Sequence, residues 1–200
     1  SETIVKSLLT DYYSTPDVWT VKTSASRVIS AANSWLHAQS SFAGLSDVDQ
    51  GHVCTLAAMV LKARTAHLFH VGDSRIWRLS GLSLEPLTTD HHVSLGAGEI
   101  VLSRAIGAST NVEIDYRSEP VSAGDIFVLT TDGVHEHWTP RTVAKRIADT
   151  QTLDGAAQAI LDDALDAGST DNLTIQIVRI ATVPSSDETE FDEKARTLPI

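Results

Sequence analysis

The spacing of hydrophobic positions near the N-terminus is helical. Apolar residues recur every three or four positions over residues 4–12 and again over residues 25–36. This spacing predicts two amphipathic helices, with Thr23 or Ser24 as the N-cap of the second helix. Trp35 falls within the second apolar stripe and is expected in the core. Two further helices are predicted late in the chain, over residues 140–147 and 153–165.

The rest of the chain consists of short runs that are apolar or alternate between polar and apolar residues, with Gly and Asp at their ends. The runs predict strands at residues 53–61, 67–71, 75–79, 112–117, 126–129 and 173–180. Because several strands follow one another without helices between them, the pattern favours antiparallel sheets in an α+β fold. The run at residues 53–61 has no charge and is suited to a strand that is covered on both faces.

Composition narrows the class of protein. A chain of 200 residues is long enough for one domain, and 15 basic against 26 acidic residues give a net charge of −11. Such a surface repels phosphate backbones, which disfavours a nucleic-acid partner. The single cysteine excludes an internal disulfide and fits the reducing cytoplasm. No apolar run reaches the ~18 residues of a membrane span, so we expect a soluble chain with no membrane partner.

Three aspartates lie at the ends of apolar runs, each near a small residue. They are Asp73 after Gly72, Asp132 before Gly133, and Asp171 in the run Gly168-Ser-Thr-Asp-Asn172. Carboxylates that share one pocket repel each other unless a cation neutralises them, and carboxylate oxygens suit Mg²⁺ or Mn²⁺. The alternative is ordinary turn chemistry, because Gly-Asp and Asp-Gly pairs are common in turns. Spacing alone does not decide between a metal site and three separate turns.

The eight histidines suggest a second kind of site, a zinc centre. His135 and His137 are two positions apart, and His91 and His92 are adjacent. No third ligand at a spacing typical of zinc accompanies either pair. Solvated loop histidines are therefore the favoured interpretation of His135 and His137.

A set of short motifs occurs in a characteristic order and spacing over about residues 1–181. The motifs are His70-Val-Gly-Asp-Ser-Arg75, Leu87-Thr-Thr-Asp-His91, Leu102-Ser-Arg-Ala-Ile-Gly107, Gly124-Asp125, Thr131-Asp-Gly133 and Asp171-Asn-Leu-Thr174. With this set the chain resembles the metal-dependent (PPM-type, or type 2C) protein serine/threonine phosphatases. Each motif alone is weak, whereas the ordered set is specific.

The resemblance implies a four-layer α-β-β-α sandwich, in which helices flank two antiparallel sheets. It also implies hydrolysis of phosphoserine and phosphothreonine in proteins by a water that Mg²⁺ or Mn²⁺ activates. By resemblance, Asp132 and Asp171 hold the same ion, Asp73 belongs to a weaker metal position, and Asn172 orients Asp171 or a water on the ion. Residues 88–114 resemble the mobile flap beside the family's active site.

The chain departs from the family pattern at its start. It has no counterpart of the family's phosphate-binding arginine, of the acidic residue on the first strand, or of the bridging aspartate in an Asp-Gly-x-Gly-Gly stretch. The family's Gly-Thr-Thr is also altered, to Val53-Cys54-Thr55. We expect that the chain lacks an N-terminal catalytic segment and that its activity is weak or absent. A non-catalytic phosphatase-like module that binds or regulates a partner is the alternative function.

The domain and partner predictions follow from the same comparison. Residues 1–181 are the predicted phosphatase domain, and residues 182–200 are an acidic linker or tail. That tail resembles the linker of bacterial chains in which a kinase module follows the phosphatase, so a kinase module is a predicted partner beside the phosphorylated substrate. Loss of the first strands would also leave sheet edges unpaired at residues 53–61 and 173–180, which predicts dimers formed through those edges.

Overall fold

The computed structural model describes residues 1–42, 52–96 and 99–185. Five helices and a short 3₁₀ helix, Tyr12–Ser14, are present in this part of the chain. The helices are α1 (Glu2–Asp11), α2 (Val21–Phe42), α3 (Asp132–His135), α4 (Pro140–Asp149) and α5 (Leu153–Asp166). The strands are β1 (Leu56–Lys62), β2 (Thr65–Val71), β3 (Arg75–Ser80), β4 (Ser83–Pro86), β5 (His92–Gly96), β6 (Glu99–Leu102), β7 (Asp115–Pro120), β8 (Ile126–Thr130) and β9 (Ile175–Arg179).

Two antiparallel sheets stack face to face and are covered by helices on their outer sides. The first sheet has the order β1-β2-β7 and the second the order β4-β3-β8-β9, while β5 and β6 form a separate hairpin. Helices α1 and α2 pack on the first sheet, and α4 and α5 pack on the second. This architecture confirms the predicted four-layer sandwich. In the described part of the chain, no helix is both long and apolar enough to cross a bilayer.

Alternation along the strands builds three separate layers of core. On β2, Phe69 and Val71 contact the α1–α2 layer, whereas Ala66 and Leu68 point toward the second sheet. On β8, Phe127 and Leu129 complete that central layer. Trp77, Val128 and Ile177 point to the other face of the second sheet and pack in the layer under α4 and α5. A period of two therefore places one set of side chains on each face of both sheets.

Two details of α2 differ from the expectation. The helix begins at Val21, where the Thr20 hydroxyl accepts a hydrogen bond from the Thr23 backbone N–H at 3.1 Å. The predicted cap at Thr23 or Ser24 is therefore wrong by one helical turn. Trp35 is 52% exposed and not in the core, because the buried stripe runs through Ile29, Ala32 and Leu36, and Trp35 lies on the flank of that stripe.

The first predicted strand also needs correction. It begins at Leu56 and not at residue 53, and it is an edge strand whose only hydrogen-bonded neighbour among the described residues is β2. Most of its side chains are half-buried, so the expected cover on both faces is not observed. Apolar runs of this length occur in central strands and also in edge strands that line a groove. The periodicity of the run therefore did not distinguish a central strand from an edge strand.

Candidate functional site

A tight turn after β2 sets the position of Asp73. Gly72 adopts φ +104°, and a Cβ atom at this position would overlap the Thr55 side chain. The Gly72 N–H donates to His91 Nδ1 at 3.0 Å, and the Ser74 hydroxyl is 2.7 Å from the Thr55 hydroxyl. The turn therefore requires glycine at residue 72, because the backbone is left-handed there and Thr55 leaves no space for a side chain. The contacts of Gly72 with His91 and of Ser74 with Thr55 hold Asp73 at the rim of the sheets.

Substitution of Gly72 by alanine tests this turn. We expect Gly72→Ala to lower the free energy of unfolding by about 2–4 kcal/mol, because it adds overlap with Thr55 to the cost of a left-handed backbone. Gly124→Ala is the matched control, since Gly124 has φ +92° but no heavy atom near the added Cβ. The control should lose only about 1 kcal/mol. Equal losses in urea titrations of the two variants would show that the contact with Thr55 is unimportant.

Pairing of β8 with β9 brings the segment that contains Asp132 against the segment that contains Asp171. The Thr131 N–H donates to the Thr174 carbonyl, and the Thr131 hydroxyl donates to the Asn172 carbonyl at 3.0 Å. A Cβ atom on Gly133 would be 3.1 Å from Asp171 Cβ, so the two segments are in close contact there. Asp132 begins the short helix α3, where the Gly133 N–H donates to Asp132 Oδ1 at 2.9 Å.

Asp73 joins the same rim through the pairing of β3 with β8, in which Arg75 lies opposite Thr130. Burial raises the pKa of Asp73, and the negative charge of Asp132 raises it further. The two carboxylates are therefore close enough to repel each other. Asp171 is exposed at the same end of the second sheet. The fold thus brings all three predicted aspartates to one rim, although their oxygens do not form a compact set of three ligands among the described residues.

Asn172 contacts Asp171 through the main chain. Its backbone N–H donates to Asp171 Oδ1 at 2.6 Å, while its carbonyl accepts from Thr131. The backbone N–H of Asn172 thus contacts Asp171, and its predicted role in orienting Asp171 or a water on the ion stays a prediction.

The sequence did not predict the ion pair beside Asp73, and it suggested His92 only as a zinc candidate and not as a neighbour of Asp73. Arg75 donates to both carboxylate oxygens of Asp90, at 2.8 and 2.6 Å. His92 Nε2 lies 3.5 Å from Asp73 Oδ2, and His92 Nδ1 lies 3.9 Å from Asp90 Oδ2. The signal in the sequence was the position of Asp90 and His92 within or next to the motif Leu87-Thr-Thr-Asp-His91. These groups place two histidine nitrogens and a guanidinium at an otherwise acidic rim.

His135 is buried, which contradicts the expectation of a solvated loop histidine. It is 6% exposed at the end of α3, and its Nδ1 lies 3.1 Å from the Thr130 hydroxyl. That hydroxyl also accepts a hydrogen bond from Trp77 Nε1 at 3.1 Å. Burial, and then the charge of Arg75, lower the pKa of His135 to about 4. The negative charges of Asp90 and Asp132 act on the ring in the opposite direction and raise its pKa.

A separate cluster of His70, His91 and Asp115 has the residue types of a metal site, but the hydrogen bonds of His91 do not leave it free to bind an ion. Ligand atoms of His70, His91 and Asp115 lie within 4.8 Å of one another. His91 Nδ1 accepts from the Gly72 N–H, so the proton of the neutral ring is on Nε2, 3.1 Å from Asp115 Oδ2. A proton on Nε2 leaves His91 no lone pair for an ion. Arg104, 2.9 Å from Asp115 Oδ1, already supplies the positive charge. His91, Asp115 and Arg104 therefore form a hydrogen-bond network, whereas both ring nitrogens of the buried His70 lack a partner among the described residues. The geometry at His91 does not support the zinc hypothesis.

The donor set at the rim fits a hard divalent cation. Asp73, Asp132 and Asp171 offer carboxylate oxygens, the ligands that Mg²⁺ and Mn²⁺ prefer. Burial is the main cause of the raised pKa of Asp73 and the negative charge of Asp132 adds to it, and a cation would relieve that repulsion. Chemically, such a rim is suited to binding a phosphoryl group through a metal ion.

Sequence comparison connects this geometry with known proteins. A family profile described as protein phosphatase 2C matches residues 3–168. The chain is 31% identical over 150 residues to serine/threonine phosphatase stp of Listeria monocytogenes, covering 66% of this chain and 59% of that protein. It is 23% identical over 150 residues to protein phosphatase PhpP of Streptococcus pneumoniae, and this alignment covers 68% of this chain and 61% of that protein. The chain thus spans about 59% of the length of the first of these curated relatives.

Solved structures share the fold at lower identity. PppA, described as a key regulatory component of T6SS in Pseudomonas aeruginosa, aligns with a TM-score of 0.76 and 22% identity, covering 90% of this chain and 78% of that chain. The catalytic domain of serine threonine protein phosphatase PstP, solved in complex with 2 manganese ions, aligns with a TM-score of 0.75 and 20% identity, covering 90% and 80%.

Proposed function

Because the chain belongs to the protein phosphatase 2C family, we propose that it hydrolyses phosphoserine and phosphothreonine in proteins with the help of a divalent ion. The observation that carries the proposal is the convergence of Asp73, Asp132 and Asp171 at one rim, where Asp73 and Asp132 repel each other. Asp132 and Asp171 would share one ion, and Asp73 would serve a weaker position. The PstP catalytic domain was solved with manganese, which favours Mn²⁺, or the similarly hard Mg²⁺, as the ion here.

The protein's own residues would position these ligands. The Gly133 N–H holds one oxygen of Asp132, and the Asn172 N–H holds one oxygen of Asp171. His92 lies against Asp73 and ties it to β5. A bound divalent ion supplies a water nucleophile near neutral pH and stabilises the charge of the phosphoryl group in the displacement.

The proposed function extends to the limits of the domain, its partners and its location. Residues 1–181 would form the phosphatase domain and residues 182–200 a linker or tail, of which residues 186–200 lie outside the described part of the chain. The partners would be a phosphorylated protein substrate and an attached or separate kinase module, in the cytoplasm. The alternative is a phosphatase-like binding module, which is favoured by the loose arrangement of the three aspartates.

Turnover by the 200-residue chain tests the function. We expect slow Mn²⁺-dependent release of phosphate from a phosphothreonine peptide, which Asp132→Asn should abolish. Turnover should be slow because the family's bridging aspartate and phosphate-binding arginine have no counterpart here, and each such group is worth on the order of 100-fold in rate. Fast turnover of p-nitrophenyl phosphate would contradict this expectation. Metal-dependent binding of the peptide without any release would favour the binding module.

Self-association is a second expected property, and it rests on two unpaired edges. Strands β1 and β9 are the last strands of their sheets among the described residues. A groove of about 500 Å³ lies between them and α1, and the side chains that line it carry no charge. Leu9 and Tyr13 beside it are 67% and 82% exposed. In an antiparallel pair of two β1 strands centred on Met59, Lys62 of one copy would lie opposite Leu56 of the other, so like charges would not meet.

Light scattering of the 21.5 kDa chain tests this pairing. We propose that the chain forms dimers through β1, and that Leu61→Lys reduces them because it puts a charge on the edge. Leu82→Lys is the matched control, since Leu82 is 68% exposed in the turn between β3 and β4. A monodisperse monomer, or equal dimerisation of both variants, would contradict edge pairing.

A further inference from the structure

The last described residues of the chain are fixed beside the turn between β1 and β2. Val183 packs against the core between the two sheets, and the Pro184 carbonyl accepts a hydrogen bond from Arg64 Nη1 at 3.3 Å. Arg64 is exposed and lies in that turn. The chain after Ser185 therefore starts at this turn, at the end of the sheets that is opposite to the aspartate rim.

Three basic side chains lead from this turn across the face of the first sheet that carries α1 and α2. We call them the basic strip, and they are Lys22, Lys62 and Arg64. Lys62 lies opposite Thr65, two residues before His67, so Lys62 and His67 share one face of the sheet. His67 Nδ1 is 2.8 Å from the Tyr116 hydroxyl, and Lys22 Nζ lies 4.8 Å from the centre of the Tyr116 ring. The strip thus extends from Arg64 to the start of α2.

The positive charges of the basic strip are not neutralised by the described part of the chain. None of its three cations forms an ion pair there. Arg64 donates to a main-chain carbonyl, and Lys22 lies over an aromatic ring. Asp17 lines the same crevice as Lys62 without forming an ion pair with it. The strip is therefore a local surface of positive charge on a chain whose net charge is −11.

A crevice of about 300 Å³ borders the basic strip at Lys62. Tyr13, Trp19 and Leu61 are among the residues that line it, and all three are exposed. Exposed apolar side chains that are grouped next to charged ones mark surfaces that bind other chain segments. The crevice and the strip together suit an acidic peptide that carries one large apolar side chain.

The sequence that follows the described residues has this complementary chemistry. Residues 187–193, which we call the acidic segment, contain five acidic residues and no basic one, and Phe191 stands between Glu190 and Asp192. An extended chain spans at most ~3.3–3.6 Å per residue, so the path from Ser185 to Phe191 can reach ~20 Å. Because the chain leaves the domain at Arg64, two residues from Lys62, this reach is sufficient for the crevice.

We propose that the acidic segment binds the basic strip of its own chain and places Phe191 in the crevice beside Lys62. Each exposed ion pair corresponds to only ~1.5- to 5-fold in an equilibrium. The short connection compensates for this, since a tethered segment has an effective concentration in the range of mM. Repulsion from acidic residues elsewhere on the chain is screened beyond ~8 Å at physiological ionic strength. The inference goes beyond the proposed function, because it does not depend on hydrolysis.

The first measurement is the backbone order of the acidic segment in the 200-residue chain, by ¹⁵N relaxation at pH 7. At about 20 mM salt we expect order parameters above ~0.6 for residues 187–193, whereas lower values indicate a flexible backbone. In about 1 M salt the Debye length is ~3 Å, so the order parameters should fall below this limit. Lys22→Glu/Lys62→Glu should lower them at the lower salt concentration, and it leaves the contact of Arg64 with Pro184 in place.

The second measurement locates the segment on the domain. A nitroxide is attached to Ala195→Cys in a Cys54→Ala chain, and its relaxation effect is measured at the amide of Thr23, next to Lys22. Lys22→Glu/Lys62→Glu should reduce this effect at least about 2-fold, because two ion pairs are lost while the tether is unchanged.

Two further variants separate charge from shape. Arg141→Glu/Lys145→Glu is the matched control, since it makes the same change of charge at two exposed side chains of α4, which packs on the second sheet. This control should leave the order parameters and the effect at Thr23 unchanged. Phe191→Ala keeps every charge of the segment and should reduce the effect at Thr23, because the aromatic side chain no longer fills the crevice.

Three outcomes would overturn the inference. They are order parameters below ~0.6 at about 20 mM salt, equal effects at Thr23 in the strip variant and the α4 variant, and an equal effect on a ¹⁵N chain whose nitroxide is carried by a second, ¹⁴N copy. The last result would mean that the segment binds another chain. If Cys54→Ala does not fold, the order parameters of Lys22→Glu/Lys62→Glu decide, because that variant retains Cys54. Neither measurement involves turnover, so failure of this inference and failure of the proposed function are distinguishable.

Discussion

Asp132→Asn is expected to weaken Mn²⁺ binding by ~10-fold or more, the scale on which single groups at metal sites act. The substitution keeps the shape of the side chain but removes a negative charge, and affinity for hard cations depends on ligand charge and number. Asp171→Asn should have a similar effect if the two carboxylates share one ion. Calorimetric titration of the 200-residue chain with Mn²⁺ measures each loss.

Two comparisons make this prediction specific. Asp17→Asn removes the same charge from the connection between α1 and α2, far along the chain from the rim, and should leave Mn²⁺ affinity unchanged. In the double variant Asp132→Asn/Asp171→Asn, the loss of Mn²⁺ binding free energy should not exceed the sum of the losses in the two single variants. If both residues bind one ion, removal of the first ligand leaves little for the second to contribute. Equal Mn²⁺ affinity in the wild type and in Asp132→Asn would refute a shared ion.

Acidification is expected to destabilise the fold between pH 7 and pH 5. Burial lowers the pKa of both His70 and His135 to about 4, from a usual value of 6.5. As the pH falls through 6.5, the unfolded chain binds protons that the folded chain does not, so the free energy of unfolding decreases toward the folded pKa. At pH 5 each histidine should cost about 2 kcal/mol relative to pH 7.

Urea unfolding at pH 7, 6 and 5 tests this dependence. His135→Gln should remove about half of the change, since it leaves His70 as the principal buried histidine with a strongly lowered pKa. Burial also raises the pKa of Asp73, which acts in the opposite direction, adding stability at acidic pH that is lost as the pH rises. The difference between wild type and variant cancels that contribution. An identical pH dependence in both proteins would show that His135 does not titrate as proposed.

Local patterns in the sequence were sufficient for most elements of the fold. The capping box at Thr139 and Thr142 and the proline at the first helical position define the start of α4, which the sequence predicted. Alternation predicted β3 and β9, and an apolar run predicted β8, each to within a few residues. The order of short motifs identified the family, which the comparisons confirmed. These features depend on neighbours along the chain, so the residues that cause them can be read directly from the sequence.

The roles of Asp73, Asp132, Asp171 and Asn172 stay predictions. The sequence placed each residue at a strand end, and only the pairing of β3, β8 and β9 brought those ends to one rim. The functional meaning of that rim still depends on a metal ion, which the binding experiments address.

By itself, the sequence determined the helices, most strands, the antiparallel α+β architecture and the family, because periodicity, caps and motif order are local properties. Only the tertiary structure decided which strands are edges and which histidines are buried. His135 follows a turn signal, yet the second sheet and Trp77 enclose it. Apart from Lys62 at its end, β1 has the uncharged composition of a central strand, yet one of its sides has no neighbour among the described residues. Burial and strand neighbours arise from contacts between residues far apart in the chain, which no local pattern contains.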